Sequence, residues 1–221
     1  MITLALDAST YDGDVAVLDG DRVLAEQAVA MKGADHERLM PAVSSVLGQA
    51  GLGVKHVERV VCGAGPGSFT SLRIAGAIAK GIAIGVGCPL FAVPSMALIV
   101  GGAELGAGRY LVAVDALRSE AYVSLFDMDI AGTITELERA RLVAMASVHE
   151  LAVEYGARVV SPTRMPDAIH AVPRARAVSW FARLLAAEGP VDLGSWEPAY
   201  GRLAEAQVRW ESAHGRPLPA G

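Results

Sequence analysis

A chain of 221 residues that is 52% hydrophobic, with mean hydropathy +0.38 and net charge −5, carries enough apolar side chains to bury a large core in one compact unit or two small lobes. That composition excludes a disordered chain, and an acidic balance without a basic face argues against a protein that holds RNA phosphates on its own. The opening MITLALDAST lacks the basic start, apolar run and small-residue cleavage site of a secretory signal, so a cytoplasmic protein is expected.

Ile2 to Ala8, Asp14 to Asp19 and Arg22 to Val29 read as three short strands rich in Val and Leu. Asp/Gly turns such as Asp19-Gly20-Asp21 part them, and an antiparallel meander follows. From His36 to Ala50 the apolar residues Leu39, Val43, Val46, Leu47 and Ala50 fall at helical spacing. Pro41 lacks an N–H, so it either opens that helix near its first turn or kinks it.

Glu58 to Gly63 is a short apolar strand, Ala64-Gly65-Pro66-Gly67-Ser68-Phe69-Thr70 a turn, and Ser71 to Val86 an apolar helix. Gly65 and Gly67 can take positive φ, Pro66 fixes the turn between them, and Ser68 or Thr70 can cap the helix with a side-chain oxygen. A strand, a tight turn and a helix in that order bring the free amides of the first helical turn to the sheet edge, where they favour an anion or a polar partner. The loop has neither the third glycine of GxGxxG nor the Gly-Lys-Ser/Thr of a P-loop, so a rigid turn without ligand fits its chemistry equally well.

The most apolar span, 74 to 100, contains Lys80 and is cut by Pro89 and Pro94. Its pieces are shorter than the roughly 20 residues a bilayer requires, so it reads as buried helix, strand and helix, with no membrane span. Cys62 and Cys88 have no CxxC spacing and read as small core residues, with neither metal nor disulfide implied. His36 has Met40 rather than a second histidine four residues on, and His56, His149, His170 and His214 are scattered, which gives no metal-site pattern.

A second unit is detectable inside the sequence. Shifting by 108 positions pairs Leu4–Asp21 with Val112–Asp129, with identities at Ala5/Ala113, Asp7/Asp115, Ala8/Ala116, Val15/Val123, Asp19/Asp127 and Asp21/Asp129. A third strand at Thr133 to Glu138, a helix at Ser147 to Tyr155 capped by Ser147, a strand at Arg158 to Ser161 and a helix at Ala175 to Ala187 continue the repeat. Beyond Pro190 the chain is extended through Trp196 to Tyr200, and Leu203 to Ala213 forms a last amphipathic helix. Arg158, Arg164, Arg174, Arg176 and Arg183 make the one basic cluster, better read as a solvated helix face than as an RNA site.

The string GPGSFTSLRIAGAIAKGIA closely resembles the GPGSFTGLRIG segment of the bacterial tRNA threonylcarbamoyladenosine biosynthesis proteins of the TsaB (YeaZ) family. LALDAST at 4–10, HERLMP at 36–41, VDALR at 114–118, EPAY at 197–200 and AQVRWE at 206–211 match in order, so the resemblance covers nearly the whole chain. Ser71 departs from the family's usual glycine.

The resemblance implies an α/β fold of the two-lobed actin and sugar-kinase type, built from duplicated ribonuclease-H-like β-β-β-α-β-α units. The first lobe would span residues 1–105 and be completed by the closing helix at 203–214, and the second would span 106–202. It also implies a non-catalytic subunit that binds and supports a TsaD-like transferase forming threonylcarbamoyladenosine next to the anticodon of tRNA, with no catalytic residues of its own. A TsaE-like ATPase would join through the complex, tRNA would be reached only through the complex, and the chain alone would be a homodimer.

The partner surface implied is the pair of first-lobe helices, with His36, Leu39, Met40 and Val43 on one and Ile74, Ala75, Ile78, Ala79 and Ile82 on the other. Small residues in the second helix would admit another helix closely, and its glycines, each costing about 1 kcal/mol against alanine, call for a compensating contact. Burial within the lobe is the competing reading of the same pattern.

A nucleotide or anion would meet Asp7, Ser9, Thr10, Gly65, Gly67 and Ser68. In active kinases of this superfamily a first hairpin of the type Asp-x-Gly-Thr wraps phosphate. Ser9 stands at that glycine here, and its Cβ crowds the approach. Asp7 serves equally well to satisfy turn amides. The expected cofactor status is therefore none intrinsic, with ATP or ADP held at the interface with the partner. The alternative is an independent nucleotide-dependent kinase or hydrolase of the same fold.

Overall fold

The computed structural model describes residues 1–31, 37–103, 105–200 and 214. Valine- and leucine-rich runs form β1 (Ile2–Asp7), β2 (Asp12–Asp19) and β3 (Arg22–Ala30), followed by α1 (Leu39–Gln49), β4 (Arg59–Gly63), α2 (Phe69–Val86), β5 (Leu90–Val93) and α3 (Ser95–Gly102). The second half repeats the plan with β6 (Gly108–Asp115), β7 (Glu120–Met128), β8 (Ile134–Ala144), α4 (Val148–Tyr155), β9 (Arg158–Ser161) and β10 (Ile169–His170). A 3-10 turn over Ala175–Phe181 then leads into α5 (Ala182–Glu188).

Each half folds its strands into a five-stranded sheet, in the orders β3-β2-β1-β4-β5 and β10-β9-β6-β7-β8. In both, the first three strands are antiparallel and the fourth and fifth run parallel to the first. That is the duplicated ribonuclease-H-like arrangement expected from the repeat. The pairing is one residue tighter in the second hairpin: Asp7 faces Asp14, whereas Asp115 faces Ala121. An ungapped shift therefore matches the strands but not their register.

Three apolar layers follow from strand alternation. Leu4, Leu6, Val15 and Val17 pack against α1 and α2 on the outer face of the first sheet. Ala5, Ala16 and Val61 face inward, where α3 and the 175–181 turn lie between the sheets against Tyr110, Val112, Val114 and Phe126. Leu111, Ala113 and Val123 carry α4 on the far side.

Several expected elements are corrected in detail. Pro41 is the third residue of α1 and opens it rather than kinking it, since its missing N–H is unneeded there. The third strand of the second unit runs on from Glu138 to Ala144. Ser147 precedes α4 without a side-chain cap, and the helix expected from Ala175 begins as a 3-10 turn. The last helix, at 203 to 213, lies outside the described residues. The extended segment before it returns to the first sheet, where Val191 N–H donates to Leu90 at 2.8 Å and Ala199 N–H to Ala64 at 2.7 Å.

Candidate functional site

The turns that follow β1 and β6 meet across a cleft of about 280 Å3 between the lobes. Asp7 closes the first turn from behind. It is fully buried, and its carboxylate accepts Ser9 N–H at 2.9 Å, Ser9 Oγ at 2.8 Å and the Ser95 hydroxyl of α3. Burial pushes its pKa up, against those hydrogen bonds. Asp7 is thus the pin of the turn and does not reach the cleft.

Thr10 Oγ1 donates to Asp12 O at 2.8 Å and accepts Asp12 N–H at 3.2 Å, which completes the loop. Ser9 and Thr10 line the cleft, as do Gly67 and Ser68. Gly65 does not: it holds φ +87°, and a Cβ there would sit 2.4 Å from the Ala199 carbonyl oxygen. Gly67 is corrected too. It is absent from the positive-φ glycines, and its requirement is space, since a Cβ would fall 2.0 Å from the Ser9 carbonyl oxygen. That oxygen accepts Ser68 N–H at 2.7 Å, tying the turn before α2 to the turn after β1.

Ser68 is the residue before α2, yet its hydroxyl caps no backbone amide and pairs with Ser71 Oγ at 3.0 Å. Thr70 lies inside the helix. The serine at the family's glycine position is therefore occupied in holding Ser68.

The opposite wall comes from Asp115, Ala116, Leu117 and Tyr122, with Phe69 and Tyr200 closing one side. The repeat could have found the first three, because the same 108-residue shift lays Asp7–Thr10 on Asp115–Arg118. The backbone could not have been foreseen: Leu117, Arg118 and Ser119 take φ of 63°, 55° and 61° in succession, with no glycine among them. No lysine or arginine is among the described residues lining the cleft. Nor does any group of three or more His, Cys, Asp or Glu gather among the described residues.

The residues assigned to a partner surface divide. Leu39, Val43, Ala75, Ala79 and Ile82 are buried against the first sheet, a correction that follows from α2 being apolar on nearly every side. Met40 is exposed, Ile74 and Ile78 are half-buried, and His36 lies outside the described residues. The outward face of α2 is instead Ala77, Gly81, Ile84 and Gly85, flanked by Ile74 and Ile78, with Ile84 64% exposed.

The glycines of α2 divide in the same way. Gly76 is filled by the chain itself, where Pro198 Cγ would stand 3.1 Å from a Cβ, whereas Gly81 and Gly85 have nothing within 4 Å. Lys80, on the same helix, spends its ammonium on the Trp196 carbonyl at 2.8 Å.

The basic cluster is also corrected. Arg174 pairs with Asp14 at 3.1 Å and Arg176 with Glu26 at 2.8 Å, so both bind the second half of the chain to the first sheet rather than forming a solvated helix face.

The model for TsaD, tRNA N6-adenosine threonylcarbamoyltransferase, matches residues 30–174. Among curated proteins, the chain is 32% identical to the tRNA threonylcarbamoyladenosine biosynthesis protein TsaB of Bacillus subtilis, over 57% of this chain and 55% of that one. It is 31% identical to TsaB of Escherichia coli, over 68% and 65%. It thus spans about half to two thirds of the length of the curated relatives it matches. Among solved structures, YeaZ from Pseudomonas aeruginosa superposes with a TM-score of 0.72 at 25% identity, covering 90% of this chain and all of that one. A Pseudomonas aeruginosa protein with similarity to peptidase YeaZ gives 0.76 at 28%, covering 91% and 99%.

Proposed function

We propose that this chain, which belongs to the TsaB (YeaZ) family, is a non-catalytic subunit of the machinery that forms threonylcarbamoyladenosine in tRNA, docking on a TsaD-like transferase. The observation that supports docking most is the outward face of α2. Ala77, Gly81 and Gly85 keep its backbone accessible, and Ile84 stands exposed beside them. Glycine in an exposed helix interior costs about 1 kcal/mol against alanine, and two of them with empty space above are compensated once another helix lies on them. Alone, the chain covers this face with a second copy of itself, and the transferase competes for it.

The tRNA is reached through the complex. The chain carries a net charge of −5, and two of the five arginines of its basic cluster, Arg174 and Arg176, are engaged internally, which argues against a phosphate-binding face there. A TsaE-like ATPase joins through the same complex, ATP or ADP is held at the interface with the partner rather than by this chain alone, and the complex works in the cytoplasm.

An independent kinase or hydrolase is not favoured. Ser9 occupies the position of the phosphate-wrapping glycine, and two carboxylates, Asp12 and Asp115, with no cation, line the described cleft. Reconstitution with the transferase and tRNA tests the reading: modification that requires both proteins supports it, and modification or ATP turnover by this chain alone contradicts it.

A further inference from the structure

The interlobe cleft carries chemistry that a docking subunit does not use. Tyr122, on β7, is 6% exposed and lines the cleft, yet its hydroxyl has no hydrogen-bond partner among the described residues. Burial alone pushes its pKa up. The hydroxyl is not among the buried unpartnered atoms of the described residues, so it stays accessible, and the cleft that Tyr122 lines is where it can find a partner.

Ser68 and Phe69, at the start of the 18-residue α2, line the same cleft. Because Ser68 Oγ is taken by Ser71, the amides of Phe69, Thr70 and Ser71 receive no side-chain cap. They form a positive terminus that favours a negative group. Phe69 and Tyr200, with ring centroids 4.6 Å apart and planes inclined by 52°, and Leu117 supply an apolar wall.

We propose that this cleft binds a small monocarboxylate with a planar apolar body. The carboxylate accepts from the first-turn amides of α2 and from the Tyr122 hydroxyl, and the body lies along Phe69, Tyr200 and Leu117. Asp12 and Asp115 limit the charge. Each additional negative group on a ligand would meet a carboxylate in a site without a cation, so a nucleotide polyphosphate is disfavoured. A cavity of about 280 Å3 admits a body of one ring. None of this depends on the partner surface, which lies on the outer side of the first sheet.

Benzoate is the probe. Titrated into the full chain and followed by amide NMR, it should shift the resonances of Phe69, Thr70 and Ser71 and saturate below about 10 mM. Tyr122→Phe, which removes one oxygen, should weaken that binding about tenfold without lowering the melting temperature, since the lost bond is to a charged acceptor. Benzylamine and magnesium ATP should not compete. Three results would overturn the proposal: no shift at these amides, equal affinity in wild type and Tyr122→Phe, or tighter binding of benzylamine or ATP than of benzoate. Should Tyr122→Phe melt early, the wild-type amide shifts and the competition still decide.

Discussion

Asp14 on β2 accepts the backbone N–H of Ala175 at 2.7 Å, joining positions 161 apart and holding the 175–181 turn against the first sheet. Arg174 pairs with the second carboxylate oxygen at 3.1 Å, and Glu26, on the neighbouring strand, holds Arg176 at 2.8 Å while its Oε1 is buried without a partner. Burial, reinforced by the nearby Glu26, pushes the Asp14 pKa up to about 7, against the Ala175 and Arg174 hydrogen bonds.

A carboxyl whose folded pKa is raised binds a proton more readily folded than unfolded. Its contribution is therefore full below the unfolded value near 4 and is lost as pH rises through about 7. The slope for one such proton reaches about 1.4 kcal/mol per pH unit within that window. Denaturant unfolding at pH 5 and pH 8 should show the wild type more stable at pH 5. Asp14→Asn, neutral at every pH, should lower that difference by about one proton's worth. An unchanged pH slope in Asp14→Asn would contradict the assignment.

Ser119→Gly tests the backbone at the second turn. Three successive residues with φ near +60° and side chains attached carry strain on the order of 1–2 kcal/mol each, which glycine relieves at its own position. The variant should melt about 2–4 °C higher if about 1 kcal/mol is recovered in a chain of this size. A lower melting temperature would mean that the Ser119 side chain makes a compensating contact.

Gly67→Ala and Gly85→Ala should move stability in opposite directions. The first places a methyl 2.0 Å from the Ser9 carbonyl oxygen and forces apart the two turns that build the cleft. The second enters open space on an exposed helix and gains about 1 kcal/mol of helix propensity. Thermal melts of the two variants settle both points, and similar losses in each would show that α2 is not exposed at Gly85.

The strands and their order were legible because short Val- and Leu-rich runs ended at Asp/Gly turns, and because Asp7/Asp115 and its companions revealed the repeat. The one-residue difference in hairpin register was not legible, since both faces of β2 and β7 are largely buried and alternation gives no phase. The first half of the cleft was readable in Ser9, Thr10, Gly67 and Ser68. Tyr122 was not, because an aromatic residue in a strand reads as core until its hydroxyl is found without a partner. On α2, an apolar helix surface conceals which side faces the sheet, and of the two readings open for Ala79, partner surface or lobe core, full burial fits the second.

The burial of Ala79 and the exposure of Gly81 give substitutions at the two positions opposite effects. Ala79→Glu puts a charge into the first-sheet core and should unfold the lobe, whereas Gly81→Leu projects into open space and should keep the fold with a melting temperature no lower than wild type. Circular dichroism should separate the two, and sedimentation should show Gly81→Leu weakening self-association. A folded Ala79→Glu would contradict the packing of α2.

The most direct measurement is threonylcarbamoyl transfer to tRNA by a TsaD-like transferase, alone, with this chain, and with the Gly81→Leu variant. The transferase should be active only with the wild-type chain, this chain alone should be inert, and Gly81→Leu should cut the rate at least about tenfold while remaining folded. Equal transfer with and without the chain, or transfer by the chain alone, would contradict its role as a docking subunit.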